Sequence, residues 1–175
     1  MPTRFPQHSG GVPTPEQAFQ YAAKTGNLDQ VQVLLPSVDV NSQGVDGGTA
    51  LHRAASYGRT GIVELLLAHG ADPNARDKSQ NTPLHSAVAT SQIDAAAVLL
   101  QRGADPNAQD NYGNSPLIAA LGSSEMVELT GLLLEHGANP LQENKAGMSA
   151  YKVTQIRDDS EAHNLMAAYL GTAPQ

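Results

Sequence analysis

Cysteine is absent from the 175 residues, and so is tryptophan. Without cysteine there is no disulfide framework, no thiolate metal site and no cysteine nucleophile. That sets no compartment, but it removes the main sequence argument for secretion. Aromatic residues make up only 4% of the chain. The core must therefore be built from Leu, Val, Ile and Ala, a composition that suits close-packed helices better than a β-sandwich. No run approaches the roughly 18 apolar residues of a membrane-spanning helix. The opening segment, MPTRFPQHSGGVPTP, has no apolar stretch of the signal-peptide kind and reads as a flexible leader rich in Pro and Gly. Phosphate-loop, dinucleotide, nucleophile-elbow and HExxH signatures are all missing, so neither catalysis nor a cofactor is implied. A soluble, cytoplasmic protein is the expectation.

What is present is an ordinary globular composition, 40% hydrophobic and 15% charged, in a chain long enough for one sizeable domain. The net charge is −7 and lies wholly in the second part of the chain. Residues 1–60 balance four basic against four acidic side chains, whereas 61–175 carry six basic and thirteen acidic. Such a surface repels phosphate backbones and anionic membranes. It suits a basic protein partner, and equally plain solubility.

Two separated motifs recur with one period. Thr49-Ala-Leu-His52 returns as Thr82-Pro-Leu-His85 and Ser115-Pro-Leu-Ile118, 33 residues apart each time. Leu65-Leu-Leu-Ala-His-Gly-Ala-Asp-Pro-Asn74 returns 33 later as Val98 to Asn107, then 34 later as Leu132 to Pro140. One residue is therefore inserted in the fourth unit, around Glu125–Gly131. This pattern resembles the ankyrin repeat, and the resemblance covers about residues 15–170. It implies an all-α solenoid of helix-turn-helix units joined by β-hairpin loops, with repeats near 15–43, 44–76, 77–109, 110–143 and 144–170. A leader at 1–14 and a tail at 171–175 flank them. The terminal units are degenerate, as capping repeats must be when their outer faces meet water.

The residue types fit that reading. Thr49, Thr82 and Ser115 can cap helix N-termini, and Pro83 and Pro116 follow at the first helical position, where no N–H is needed. Gly58 suits a left-handed helix stop; Ser91 and Ser124 stand in its place in the next two units. Asn74 and Asn107 can bond across a tight turn. Ala95, Ala96 and Ala97 leave the third unit's second helix under-filled. Of the six histidines, the resemblance gives His52 and His85 a structural bond to neighbouring loop backbone, and no spacing suggests a metal.

In ankyrin proteins partners are gripped by hairpin tips and the exposed side of the first helices, which line a concave groove. Carried over by repeat position, the contact residues are Asp46, Arg53, Tyr57, Lys78, Asn81, Asn111, Tyr112, Asn114 and Lys145. Arg53, Tyr57 and Tyr112 lead, because exposed Tyr and Arg most often carry interface energy. Val45 lies among the wider candidates, while Tyr21 suits the core better. The expected function is a monomeric adaptor or scaffold that binds a protein partner. The alternative is a dedicated inhibitor, such as a bacterial immunity protein that occludes a toxin or enzyme.

Overall fold

The computed structural model describes residues 12–172; the remainder of the expected leader and tail, with His8, lies outside them. Ten α-helices among the described residues pair into five helix–turn–helix units. They are α1 (Pro15–Thr25) with α2 (Leu28–Leu34), α3 (Ala50–Ser56) with α4 (Thr60–Ala68), and α5 (Pro83–Ala89) with α6 (Ile93–Gln101). Then come α7 (Pro116–Ala120) with α8 (Met126–Glu135), and α9 (Ala150–Arg157) with α10 (Ser160–Thr172). No β-strand occurs among the described residues; the hairpin loops are tight turns, each closed by a backbone bond.

Local chemistry starts and stops the helices. Pro83 and Pro116 open α5 and α7, and the hydroxyls of Thr82 and Ser115 accept from the backbone N–H of the third helical residue at 3.4 Å. The Thr49 and Thr82 hydroxyls lie 2.9 Å from the Nδ1 atoms of His52 and His85. Gly58 takes the left-handed conformation after α3, with φ +61°. Ser91 adopts it too, at φ +59°, but Ser124 does not. The α7–α8 connection is built differently, around Ser123 and Ser124 hydroxyls that meet the Ser91 hydroxyl at 2.7 and 3.1 Å.

The core is a stack of equivalent positions. Leu51, Leu84 and Leu117 are each fully buried on the first helices, with Ala54, Ala87 and Ala120 beside them. Alanine there lets neighbouring helices approach closely, and the leucines fill the space between. On the second helices the buried sets are Ile62, Val63 and Leu66, then Ala95, Ala96 and Leu99, then Leu129, Thr130 and Leu133. The last set arrives 34 residues after the one before, so the inserted residue is absorbed ahead of Leu129. Thr130 brings a buried hydroxyl with no hydrogen-bond partner into a column otherwise held by Val63 and Ala96.

Candidate partner-binding surface

Four finger-like turns project from the stack, each closed by one backbone bond: Gly44 to Gly48, Asp77 to Asn81, Asp110 to Asn114 and Asn144 to Met148, at 2.9–3.0 Å. The carboxylates of Asp77 and Asp110 accept from backbone N–H groups inside their own fingers, which fixes the tips. Successive tips are also joined. Lys78 N–H donates to Asp46 carbonyl, Asn111 to Ser79 and Lys145 to Tyr112, each at 3.0 Å. That approach requires glycine beneath it: a Cβ on Gly47 would meet Lys78 nitrogen at 2.7 Å, and one on Gly113 would meet Lys145 nitrogen at 2.8 Å. Both also have positive φ, at +79° and +78°. The equivalent residue of the second finger is Gln80, a non-glycine at φ +62°.

Three side-chain ladders running from one unit to the next brace this row. In the first, His52 Nδ1 accepts from the Thr49 N–H and its Nε2–H donates to the Asn81 carbonyl at 3.1 Å. His85 repeats this with Thr82 and Asn114. Ile118 ends the ladder in the fourth unit. Burial holds both imidazoles below their ordinary pKa, against the raising effect of the carbonyl bond. In the second, Asn41, Asn74 and Asn107 each donate to the carbonyl of the next unit's helix-ending glycine and accept from an N–H two residues beyond it. Asn74 and Asn107 thus reach the following unit, rather than closing the local turn that was expected. The third ladder was not anticipated: Gln43 donates to Arg76 carbonyl, Arg76 to Gln109 carbonyl and Gln109 to Glu143 carbonyl. Long polar residues at the 33-residue step were its signal in the sequence.

Seven of the nine candidate residues lie in the fingers, and Arg53 and Tyr57 lie on and at the end of α3. Arg53 on α3 pairs with Asp46 in the finger at 2.5 Å, and this guanidinium bond holds the Asp46 carboxyl below its usual range. Tyr57, which ends α3, is half exposed and carries the Lys24 ammonium 5.1 Å from its ring centroid. Lys78, Asn111, Tyr112 and Lys145 occupy tips; Tyr112 is 73% exposed. Lys145 Nζ donates to Asn111 carbonyl, and Asn111 Nδ2 to Lys78 carbonyl. Asn81 and Asn114 are half buried and bond to Asp77 and Asp110, with Asn114 also accepting from Asn144. Asparagines chosen as contacts are thus engaged in holding the fingers. Val45 projects from the first finger at 90% exposure, beside a cleft of about 530 Å³ also walled by Arg76 and Lys78. Tyr21 is half buried.

Charge is sorted between the two sides. The fingers, first helices and following turns carry seven basic and seven acidic residues; the second helices and the loops after them carry only Arg76 and Arg102 against ten acidic residues. Among the described residues no cluster of His, Asp or Glu could hold a metal, and no helix is long and apolar enough to cross a membrane.

The repeated architecture has counterparts among known proteins. A family model of ankyrin repeats in three copies matches residues 19–110, and a single ankyrin repeat matches 112–145. The chain belongs to the ankyrin-repeat family. Its fifth unit extends past the matched residues, yet Arg157 at the end of α9 donates to Leu121 carbonyl of the fourth ankyrin unit and so continues the stack. The chain is similar to the Notch-regulated ankyrin repeat-containing protein of Homo sapiens, 38% identical over 66 residues, covering 35% of this chain and 58% of that one. Protein A of the same name from Danio rerio is 40% identical over 63 residues, covering 33% and 56%. The chain thus spans little more than half the length of these curated relatives. The 2-5A-dependent ribonuclease of Homo sapiens is 50% identical over 54 residues, which are 30% of this chain and 7% of that protein. Ankyrin repeats are protein–protein interaction modules, in general without catalytic activity.

Proposed function

We propose that this ankyrin protein is an adaptor or scaffold that grips a protein partner along its finger row and first helices. The observation that carries the reading is the row itself: tips locked to one another by backbone bonds, with Tyr112, Val45 and Tyr57 left projecting. A preorganised surface loses little ordering entropy on binding, so exposed aromatic area there converts efficiently into affinity. The proposed active form is a monomer in the cytoplasm.

The test is affinity capture from the source cell, run for the wild-type chain and for a Tyr57→Ala/Tyr112→Ala variant of unchanged unfolding midpoint. Partners retained by wild type and lost by the variant support the row as the binding surface. Partners bound equally by both would overturn it. A single stoichiometric partner would mark the dedicated-inhibitor alternative, and several weaker ones the adaptor.

A further inference from the structure

We infer that a basic, amphipathic segment of a protein partner docks in a cleft on the second-helix side, where the first unit meets the second. This contact is separate from the finger row and does not depend on it. The cleft holds about 550 Å³ and is walled by Leu35, Pro36, Val38 and Val40 of the first unit and by Leu65 on α4. Proline shapes it. Pro36 has no N–H to offer the Gln32 carbonyl, so α2 stops at Leu34 and the chain tightens into a 3-10 turn, Leu35–Ser37. Val38 and Val40 then stand where the second unit has Ala71 and Pro73, and Ser37 stands where it has the helix-ending Gly70. The apolar lining is therefore a property of this junction and not of the repeat.

Two ionisable groups line the cleft, and both present acceptors. One oxygen of Asp39 accepts the Asn41 N–H at 2.9 Å, which orients the carboxylate and leaves its charge. His69 Nδ1 lies 2.8 Å from the Leu65 carbonyl. A carbonyl can only accept, so the proton sits on Nδ1 and the neutral ring offers Nε2 as an acceptor. The residue 33 positions later is Arg102, whose guanidinium would repel a cation. Charge around the first cleft has one sign. Residues 28–42 and 60–74 contain Asp29, Asp39, Glu64 and Asp72 and no Lys or Arg, and none of these carboxylates is ion-paired among the described residues. Arg76, next along the chain, is turned to the carbonyls of Gln80 and Gln109. An apolar floor of ligand size, bordered by carboxylate and imidazole acceptors, matches Leu- or Val-like side chains flanked by Lys or Arg. An acidic segment would be repelled, and nucleic acid with it.

Fluorescence anisotropy with the full chain tests this, using labelled Lys/Leu, Lys/Ser and Glu/Leu peptides as probes. The Lys/Leu peptide is expected to bind, and to weaken as salt rises from about 50 to about 300 mM. It should bind about tenfold more tightly than the Lys/Ser peptide, which lacks apolar side chains for the floor. His69→Arg, which installs the guanidinium that Arg102 carries in the next unit, should weaken binding about fivefold or more. His136→Arg is the matched control, because that exposed imidazole bonds to the Leu132 carbonyl in the same way, and it should leave binding unaltered. Should His69→Arg lower the unfolding midpoint, Asp39→Asn keeps the acceptor for Asn41 and should weaken binding about two- to fivefold. Absence of Lys/Leu binding, preference for Glu/Leu, equal affinity for Lys/Ser or equal losses in the two histidine variants would each overturn the inference. So would a loss caused by Tyr57→Ala/Tyr112→Ala, which would place the peptide on the finger row. Self-association of the chain that His69→Arg removes would put a second copy in the cleft and overturn it as well.

Discussion

At His52 and His85 one imidazole performs two tasks, accepting from its own helix start and donating to the next finger. That arrangement needs the neutral ring, because protonation of Nδ1 removes the acceptor. Burial lowers both pKa values below 6.5, so just below that pH the unfolded chain binds more protons than the folded one. Stability contributed by the pair is complete above the unfolded value and declines as pH falls toward the folded one. The unfolding midpoint should therefore drop between about pH 7.5 and about pH 5.5, and less steeply in a His52→Asn/His85→Asn variant; equal slopes would exclude the histidines as the cause. His69 and His136 are a different case, exposed and bonded through Nδ1 to the carbonyl four residues back. Gln80 is strained where its counterparts are glycines. Gln80→Gly should raise stability by about 0.5–1 kcal/mol, measured by denaturant unfolding, as relief of the left-handed strain outweighs the added chain entropy.

Among the helices, α6 is the under-filled one. Where α4 buries Ile62 and Val63, α6 buries Ala95 and Ala96, and each missing methylene forgoes roughly 0.8 kcal/mol of burial. Amide exchange should accordingly be faster around residues 95–97 than around 62–67, and uniform protection would remove that ranking. Helix α8 carries a different defect, since Thr130 is fully buried with its hydroxyl unpartnered. Thr130→Val should stabilise the protein by about 1 kcal/mol in denaturant melts, the desolvation cost of an unmatched hydroxyl; a loss of stability would mean the hydroxyl has a partner in solution.

Across the whole molecule the charge is polarised, with two basic against ten acidic residues on the second helices and the loops after them. Like charges held on one face repel, and salt screens them. The thermal midpoint should rise as salt goes from about 10 to about 150 mM; a fall would mean that ion pairs such as Arg53–Asp46 outweigh the repulsion. Most of this architecture was legible in the chain. A 33-residue period written twice per unit determined the helix pairs, the caps at Thr82 and Ser115, and the buried Leu51, Leu84 and Leu117, because each follows from local chemistry repeated at fixed spacing. The candidate surface was legible only as positions. Whether Asn81 or Asn114 faces a partner or its own finger depends on which atoms a neighbouring unit offers. Likewise, a net charge of −7 does not say which side carries it. The ladders through Asn41, Gln43 and Arg76 arise only when units 33 residues apart are stacked. Tertiary structure alone decided them, because they link residues distant in the chain.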